Sequence, residues 1–159
     1  MRVGLGYDAH RFAADRRLVL GGVEIEHERG LAGHSDADVV THAVTDAILG
    51  AAAMGDIGRH FPPDDGAWKD ADSIELLRRA TQRLAGENRV VVNVDVTAIC
   101  EAPRLAPHID AMRERLAGAL DIGPAHVSVK ATTNEGMGWI GRGEGIAAIA
   151  VALIRTMGD

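Results

Sequence analysis

Asp8 and His10 stand two residues apart near the start of the chain, and His42 follows the run His34-Ser35-Asp36-Ala37-Asp38. One carboxylate and two imidazoles are ligands of the type zinc takes. Three protein ligands leave a fourth position open, as catalytic zinc sites do and structural ones do not. The plain alternative is two polar residues at a strand end and one histidine on a solvated helix face, because spacing across separate elements is weakly specific. The Asp-x-His pairing favours the metal, since alternation puts both side chains on one face of a strand. Asp46, one turn beyond His42, is placed to orient its imidazole.

Four further stretches carry chemistry. His34-Ser35 reads as the mouth of a helix: Ser35 is the expected N-cap, and the helix N-terminus with the His34 side chain suits phosphate oxygens. Gly55-Asp56-Ile57-Gly58 reads as a helix stop with an Asp turn. Phe61-Pro62-Pro63-Asp64-Asp65 reads as an exposed loop that could act as a lid. Lys130 to Glu135 gathers hydroxyls, backbone N–H groups and a carboxylate directly after a strand. There threonines can hold phosphate and Glu135 a magnesium ion, against the alternative of a polar turn. Gly141-Arg142-Gly143-Glu144-Gly145 lacks the spacing of a P-loop or dinucleotide fingerprint. No Ser-His-Asp or Cys-His nucleophile arrangement stands out.

The elements that must position these residues follow from periodicity. Val3, Leu5 and Tyr7 alternate with Gly4, Gly6 and Asp8 in a strand, and the glycines leave room beside Asp8 and His10. Arg17 to Ile25 suits a hairpin about Gly21-Gly22. Ser35 to Met54 reads as a helix with Val40, Val44, Ala47, Ile48 and Ala51 as its apolar stripe, a capping-box-like Ser35/Asp38 start, and Asp38, His42 and Asp46 opposite. A second helix is expected from Ser73 to Leu84, capped by Asp72 or Ser73, and a third from near Pro107 with Ile109, Met112 and Leu116 inward. Strands are expected at Val90–Cys100, with Val90, Val92, Val94 and Val96 on one face, at Val127–Ala131 and at Gly145–Arg155. The last is apolar on both faces, so helices cover one side and a neighbouring subunit is the simplest cover for the other. The expected fold is α+β, a two-layer sandwich with a mixed sheet.

The 159 residues suit one domain over 1–159, and a hydrophobic fraction of 47% with only 3% aromatics implies a core of Val, Ile, Leu and Ala. A net charge of −6 argues against a nucleic-acid or membrane surface. Cys100, the one cysteine, fits a reducing cytoplasm. No export signal is expected from the Gly-, Asp- and His-bearing first ten residues.

Taken together, Gly6-Tyr7-Asp8-Ala9-His10, Gly33 to Asp38, His42, Gly55 to Gly58, Phe61-Pro62, Ala71-Asp72-Ser73, Ala102-Pro103, Lys130 to Thr133 and Gly141 to Gly145 resemble the 2-C-methyl-D-erythritol 2,4-cyclodiphosphate synthase family over essentially the whole chain. The resemblance implies a lyase of the non-mevalonate isoprenoid precursor pathway. It would convert 4-diphosphocytidyl-2-C-methyl-D-erythritol 2-phosphate to the cyclodiphosphate with release of CMP. It also implies a homotrimer with sheets packed about the trimer axis, active sites between subunits, and a central channel that could take an isoprenoid diphosphate, with Arg142 and Glu144 near one end.

Carried onto this chain, the resemblance gives zinc, or another divalent cation, to Asp8, His10 and His42. Glu135 would help hold magnesium or manganese across the substrate diphosphate. His34 and Thr133 would stabilise the transition state, and Ser35 and Thr132 position phosphates. Asp56 and Gly58 would meet the ribose from the neighbouring subunit, Ile57 would join the substrate-binding set, and Phe61, Pro62, Pro63, Asp64 and Asp65 would border the methylerythritol pocket. Cys100, Glu101, Ala102, Pro103, Arg104, Leu105 and Ala106 would make the cytosine pocket. Asn134, Trp139 and Arg142 complete the substrate-binding set. The chain departs from the family pattern at Arg104, where lysine is common, at Pro63, at Asn134, where a hydroxyl residue is common, and around Trp139.

Overall fold

The structure, a computed structural model, describes residues 1–62, 64–68 and 71–158. In chain order the elements are strands β1 (Arg2–Ala13), β2 (Leu18–Leu20), β3 (Val23–Ile25) and β4 (Gly30–Leu31), and helices α1 (Val39–Ala51), α2 (Ile57–His60) and α3 (Ser73–Gly86). Strand β5 (Arg89–Ile99), helix α4 (Ile109–Leu120), strand β6 (Val127–Thr132), helix α5 (Gly138–Gly141) and strand β7 (Gly145–Thr156) follow. The main sheet runs β4-β1-β7-β5-β6, parallel only between β5 and β6. The expected mixed-sheet α+β sandwich is present. α1 lies on β1 and β7, α3 on β5 and α1, and α4 on β6 and α3, forming one helical layer. Among the described residues no helix is long and apolar enough to cross a membrane.

Strand parity decides what faces that layer. Ile146, Ala148, Ala150, Ala152 and Ile154 of β7 are buried under the helices, while Ile149 and Val151 point the other way and stay about 40% exposed. Val3, Leu5 and Tyr7 of β1 pair with Leu153, Val151 and Ile149 and share that open face. The two-sided apolar character of the last strand is therefore real, and one of its faces has no cover among the described residues.

Three local expectations change. α1 begins at Val39, not Ser35, because Ala37 takes a left-handed conformation (φ 58°) that no α-helix can pass through. Its N-cap is Asp38, which is fully buried: the carboxylate accepts from Thr41 N–H and Oγ and from the N–H groups of Gly21 and Gly22 in the β2–β3 turn. Asp38 is thus a core anchor, not part of a solvated stripe, and the first N–H groups of α1 already face a built-in carboxyl group instead of awaiting phosphate. In β5 a bulge between Val91 and Asn93 shifts the parity, so Val91 enters the core with Val94 and Val96, while Val90 and Val92 stay only half-buried.

The remaining elements match their periodicity. Gly21 and Gly22 turn the β2–β3 hairpin with positive φ (57° and 73°), a conformation glycine adopts without steric cost. Asp72 caps α3 through Ile74 N–H (2.8 Å), and the helix continues through Gly86. Met112 and Leu116 of α4 are fully buried.

Candidate metal centre and adjoining cavities

The site begins with two glycines. Gly4 and Gly6 occupy the inward parity of β1, shared with Asp8 and His10, and a Cβ on either would run into the backbone of α1 at Ala47 and Ala43. Without those side chains the helix lies directly on the strand, and His42, next to Ala43, reaches the end of β1. Asp8 Oδ2 lies 2.9 Å from His10 Nε2 and 3.0 Å from His42 Nδ1, and the two nitrogens are 3.3 Å apart. Three donors bound at about 2.0–2.1 Å around a tetrahedral centre stand about 3.3–3.4 Å from one another. The observed triangle is therefore near the size a zinc ion would hold. Among the described residues this is the one group of three carboxylate, imidazole or thiol ligands arranged to hold a metal ion; Glu135 is not part of it.

The ring nitrogens facing away are taken up by the protein. His10 Nδ1 donates to the Ala32 carbonyl at 2.6 Å, which leaves Nε2 for the centre. His42 Nε2 lies 2.9 Å from Ser73 Oγ and 3.2 Å from Ser35 Oγ. Asp46 does not orient His42: its Oδ1 accepts from Ile57 N–H at 2.7 Å and fastens the start of α2. Ser35 does not cap α1; its Oγ accepts from Ala37 N–H, and Arg16 holds the Gly33 and Ser35 carbonyls.

The charges are strongly coupled. Burial alone would raise the pKa of Asp8, but hydrogen bonds and charge from His10 and His42 outweigh it and hold the carboxyl well below the usual carboxylate range. Burial works against protonated His10, yet the hydrogen bond and charge of Asp8 dominate and its pKa moves up. A divalent cation at this point would satisfy the carboxylate and displace the imidazole proton.

The triad opens into a cavity of about 290 Å³ whose lining includes His34, Ser35, Ile57, Gly58 and Phe61. Two of its residues were missed in the sequence, Trp68 and Leu76. Trp68 is one of five aromatic residues in the chain, a scarcity that marks it. Leu76 sits three residues after Ser73 on α3 and so shares its face. Phe61 is buried rather than exposed: Trp68 meets its ring edge-on at 5.1 Å and the Arg83 guanidinium lies 5.1 Å from its centroid. Asp56 caps α2 through Arg59 N–H, and Pro62, Asp64 and Asp65 do not line the cavity. Pro63 lies outside the described residues.

A second cavity, of about 270 Å³, is lined by Cys100, Glu101, Pro103, Arg104, Leu105 and Ala106 with Ala131, Thr132 and Thr133. Ala102 is exposed beside it. Glu101 Oε1 accepts from the backbone N–H of Asn134 at 2.8 Å, and Thr133 Oγ1 donates to Glu135 Oε1 at 3.1 Å. Asn134, Glu135, Trp139 and Arg142 line neither cavity. Among the described residues the two cavities share none, so within one chain Thr133 and Glu135 are not brought to the triad.

Frame and site together define a two-layer α+β protein built around a centre able to hold a divalent cation. The same frame occurs in the bifunctional IspDF of Campylobacter jejuni (TM-score 0.94, 40% identity, covering 98% of this chain and 42% of that one). It occurs again in IspF of Plasmodium falciparum, solved as a CDP complex (TM-score 0.85, 32% identity, 98% of this chain and 96% of that one). The chain belongs to the YgbB family, whose model matches residues 1–155. A relative from Symbiobacterium thermophilum, named 2-C-methyl-D-erythritol 2,4-cyclodiphosphate synthase, is 58% identical over 154 residues, 97% of this chain and 98% of the relative.

Proposed function

We infer that this chain is a cyclodiphosphate synthase, a lyase of isoprenoid precursor synthesis acting as a single domain over 1–159. It converts 4-diphosphocytidyl-2-C-methyl-D-erythritol 2-phosphate to 2-C-methyl-D-erythritol 2,4-cyclodiphosphate and CMP. An oxygen of the substrate's 2-phosphate forms a bond to the β-phosphorus, the bond from that phosphorus to the α,β-bridging oxygen breaks, and CMP leaves with the electron pair. No outside reactant is needed. The observation that carries this reading is the Asp8/His10/His42 triangle at the wall of a cavity of about 290 Å³, in a chain of this family.

Asp8, His10 and His42 hold zinc, or another divalent cation, and Glu135 helps hold magnesium or manganese. Bound there, the metals supply Lewis-acid charge to phosphate oxygens and a template for the folded substrate. His34, exposed at the cavity mouth, and Thr133 donate hydrogen bonds to oxygens that gain charge in the transition state. Ser35 and Thr132 position phosphates. Ile57, Gly58 and Phe61, which line the cavity, border the methylerythritol unit. Cys100 to Ala106 receive cytosine, largely through backbone groups, and Asp56 and Gly58 meet the ribose. The CDP-bound relative supports a cytidine nucleotide as the leaving portion.

A homotrimer unites the half-sites. Two facts support it: the two cavities are separate within one chain, and Val3, Leu5 and Tyr7 present an apolar face that is more than half exposed (68%, 66% and 53%). Packed about a three-fold axis, that face lines a channel that could take an isoprenoid diphosphate near Arg142. The buried, unpaired Cys100 fits a cytoplasmic enzyme.

Incubation of the zinc-loaded protein with the cytidine substrate and magnesium tests the reading. One CMP and one cyclic diphosphate per substrate are expected. A linear hydrolysis product would overturn it in favour of a zinc hydrolase.

A further inference from the structure

Ser73 is fully buried, yet its hydroxyl is not used to cap its own helix, because Asp72 performs that role. Its Oγ instead lies between Asp36 Oδ1, at short hydrogen-bonding range, and His42 Nε2 at 2.9 Å. Asp36 Oδ2 also accepts from the Ser73 backbone N–H at 3.0 Å, so the carboxylate grips the residue twice. An ionised carboxylate only accepts hydrogen bonds. The single hydroxyl hydrogen of Ser73 is therefore committed to Asp36, and only a lone pair remains for the imidazole.

We propose that Ser73 and Asp36 are positioning residues that fix the metal-ligating form of His42. With Ser73 able only to accept, His42 Nε2 carries the proton and Nδ1 presents its lone pair towards Asp8 and His10. The same commitment frees Ser35. Its Oγ accepts from Ala37 N–H and lies farther from His42 Nε2 (3.2 Å) than Ser73 does (2.9 Å), so its hydroxyl hydrogen can turn into the cavity towards a phosphate oxygen. The inference rests on the metal reading of the triad and adds to it the pair that sets the second histidine, with Ser73 lying 31 residues beyond His42 in sequence.

Zinc affinity by chelator competition and histidine nitrogen NMR of the zinc-loaded protein test this without reference to turnover. In the parent, His42 is expected bound through Nδ1, with an exchange-protected Nε2–H. Ser73→Ala should weaken zinc binding by about 10- to 100-fold, the range for losing such a supporting group, and abolish that protection. Asp36→Asn should move both readouts the same way but less, because an amide cannot serve both Ser73 donors; it decides the matter if Ser73→Ala does not fold. Zinc affinity within two-fold of the parent and an unaltered Nε2–H signal in the folded variants would overturn the proposal. So would a parent in which zinc sits on Nε2. A parent that takes up no zinc would instead refute the metal reading.

Discussion

The two cavities are built by opposite means. Around the triad the ligands are held by partners remote in sequence and largely buried: His10 by the Ala32 carbonyl, His42 by Ser73, and α1 itself by Asp38 against the β2–β3 turn. Around Thr133 the polar groups sit on an exposed turn and mostly hold one another, Thr133 to Glu135 and Asn134 to Met137, with Glu101 as the remote anchor. The difference teaches which groups must be correct before substrate arrives. A small cation tolerates little error in the spacing of three donors, so its shell is fixed by buried hydrogen bonds. In the proposed trimer, groups that would meet a flexible diphosphate across a subunit boundary can wait on the surface and be ordered by what they bind.

The sharpest way to break that contrast is to remove a fixed group. His42→Ala should lose stoichiometric zinc and lower CMP release by more than about 100-fold, beyond the upper end for merely disturbing a supporting residue. Elemental analysis with a CMP assay reads both, and a variant that keeps one zinc per chain contradicts the ligand assignment. Next comes the approach of α1 to β1. Gly6→Val forces a branched side chain into the Ala43 carbonyl and should cost about 1–3 kcal/mol of stability as strand and helix separate. Thermal unfolding and zinc titration should fall together. A stable variant with normal zinc affinity would show that the close contact does not set the triad.

The same division explains what the sequence could show. Strand parity placed Asp8 and His10 beside Gly4 and Gly6, and the apolar stripe placed α1, because both are matters of period. The start of α1 was hidden: Ala37 takes a positive φ with none of the residue types that usually signal it, so Ser35 looked like a cap. Asp46 was the obvious partner for His42 because it is one turn away, but the hydroxyl that reaches the imidazole comes from α3. Nothing in a periodic pattern reports such a contact. The bulge in β5 likewise leaves no mark in a run of valines, yet it exchanges Val90 and Val92 for Val91 in the core. Trp68 lies in no periodic stretch, so no pattern assigns it a face. Its ring and the Arg83 guanidinium close over Phe61 only in three dimensions.

The exposed cavity should yield smaller and more selective effects. Glu135→Gln removes the charge of an exposed carboxylate that accepts a hydrogen bond from Thr133 Oγ1. The magnesium midpoint should rise by about 10-fold, the scale of one charged contact, while zinc content stays at the parent value. An unchanged magnesium titration would remove Glu135 from the metal-bearing set, and a loss of zinc would mean that the two regions are not independent.

The smallest effect is expected at Cys100, which lines the second cavity but is itself buried. Burial, with the neighbouring Glu101 carboxylate, pushes its thiol pKa up to about 11. A raised thiol pKa favours the neutral form, so from pH 6 to 9 the thiolate, which is the nucleophile, is scarce. Cys100 should then alkylate far more slowly in the folded protein than after denaturation, and its charge should not shape the pH profile of turnover. The Sγ donates weakly to the Pro103 carbonyl at 3.7 Å, a contact a hydroxyl can reproduce. Cys100→Ser should accordingly leave kcat and KM within about two-fold, the size of one altered weak hydrogen bond. A large rise in KM would mean that the walls of the second cavity demand the same fixity as the triad, and the contrast between the two cavities would fail at that residue.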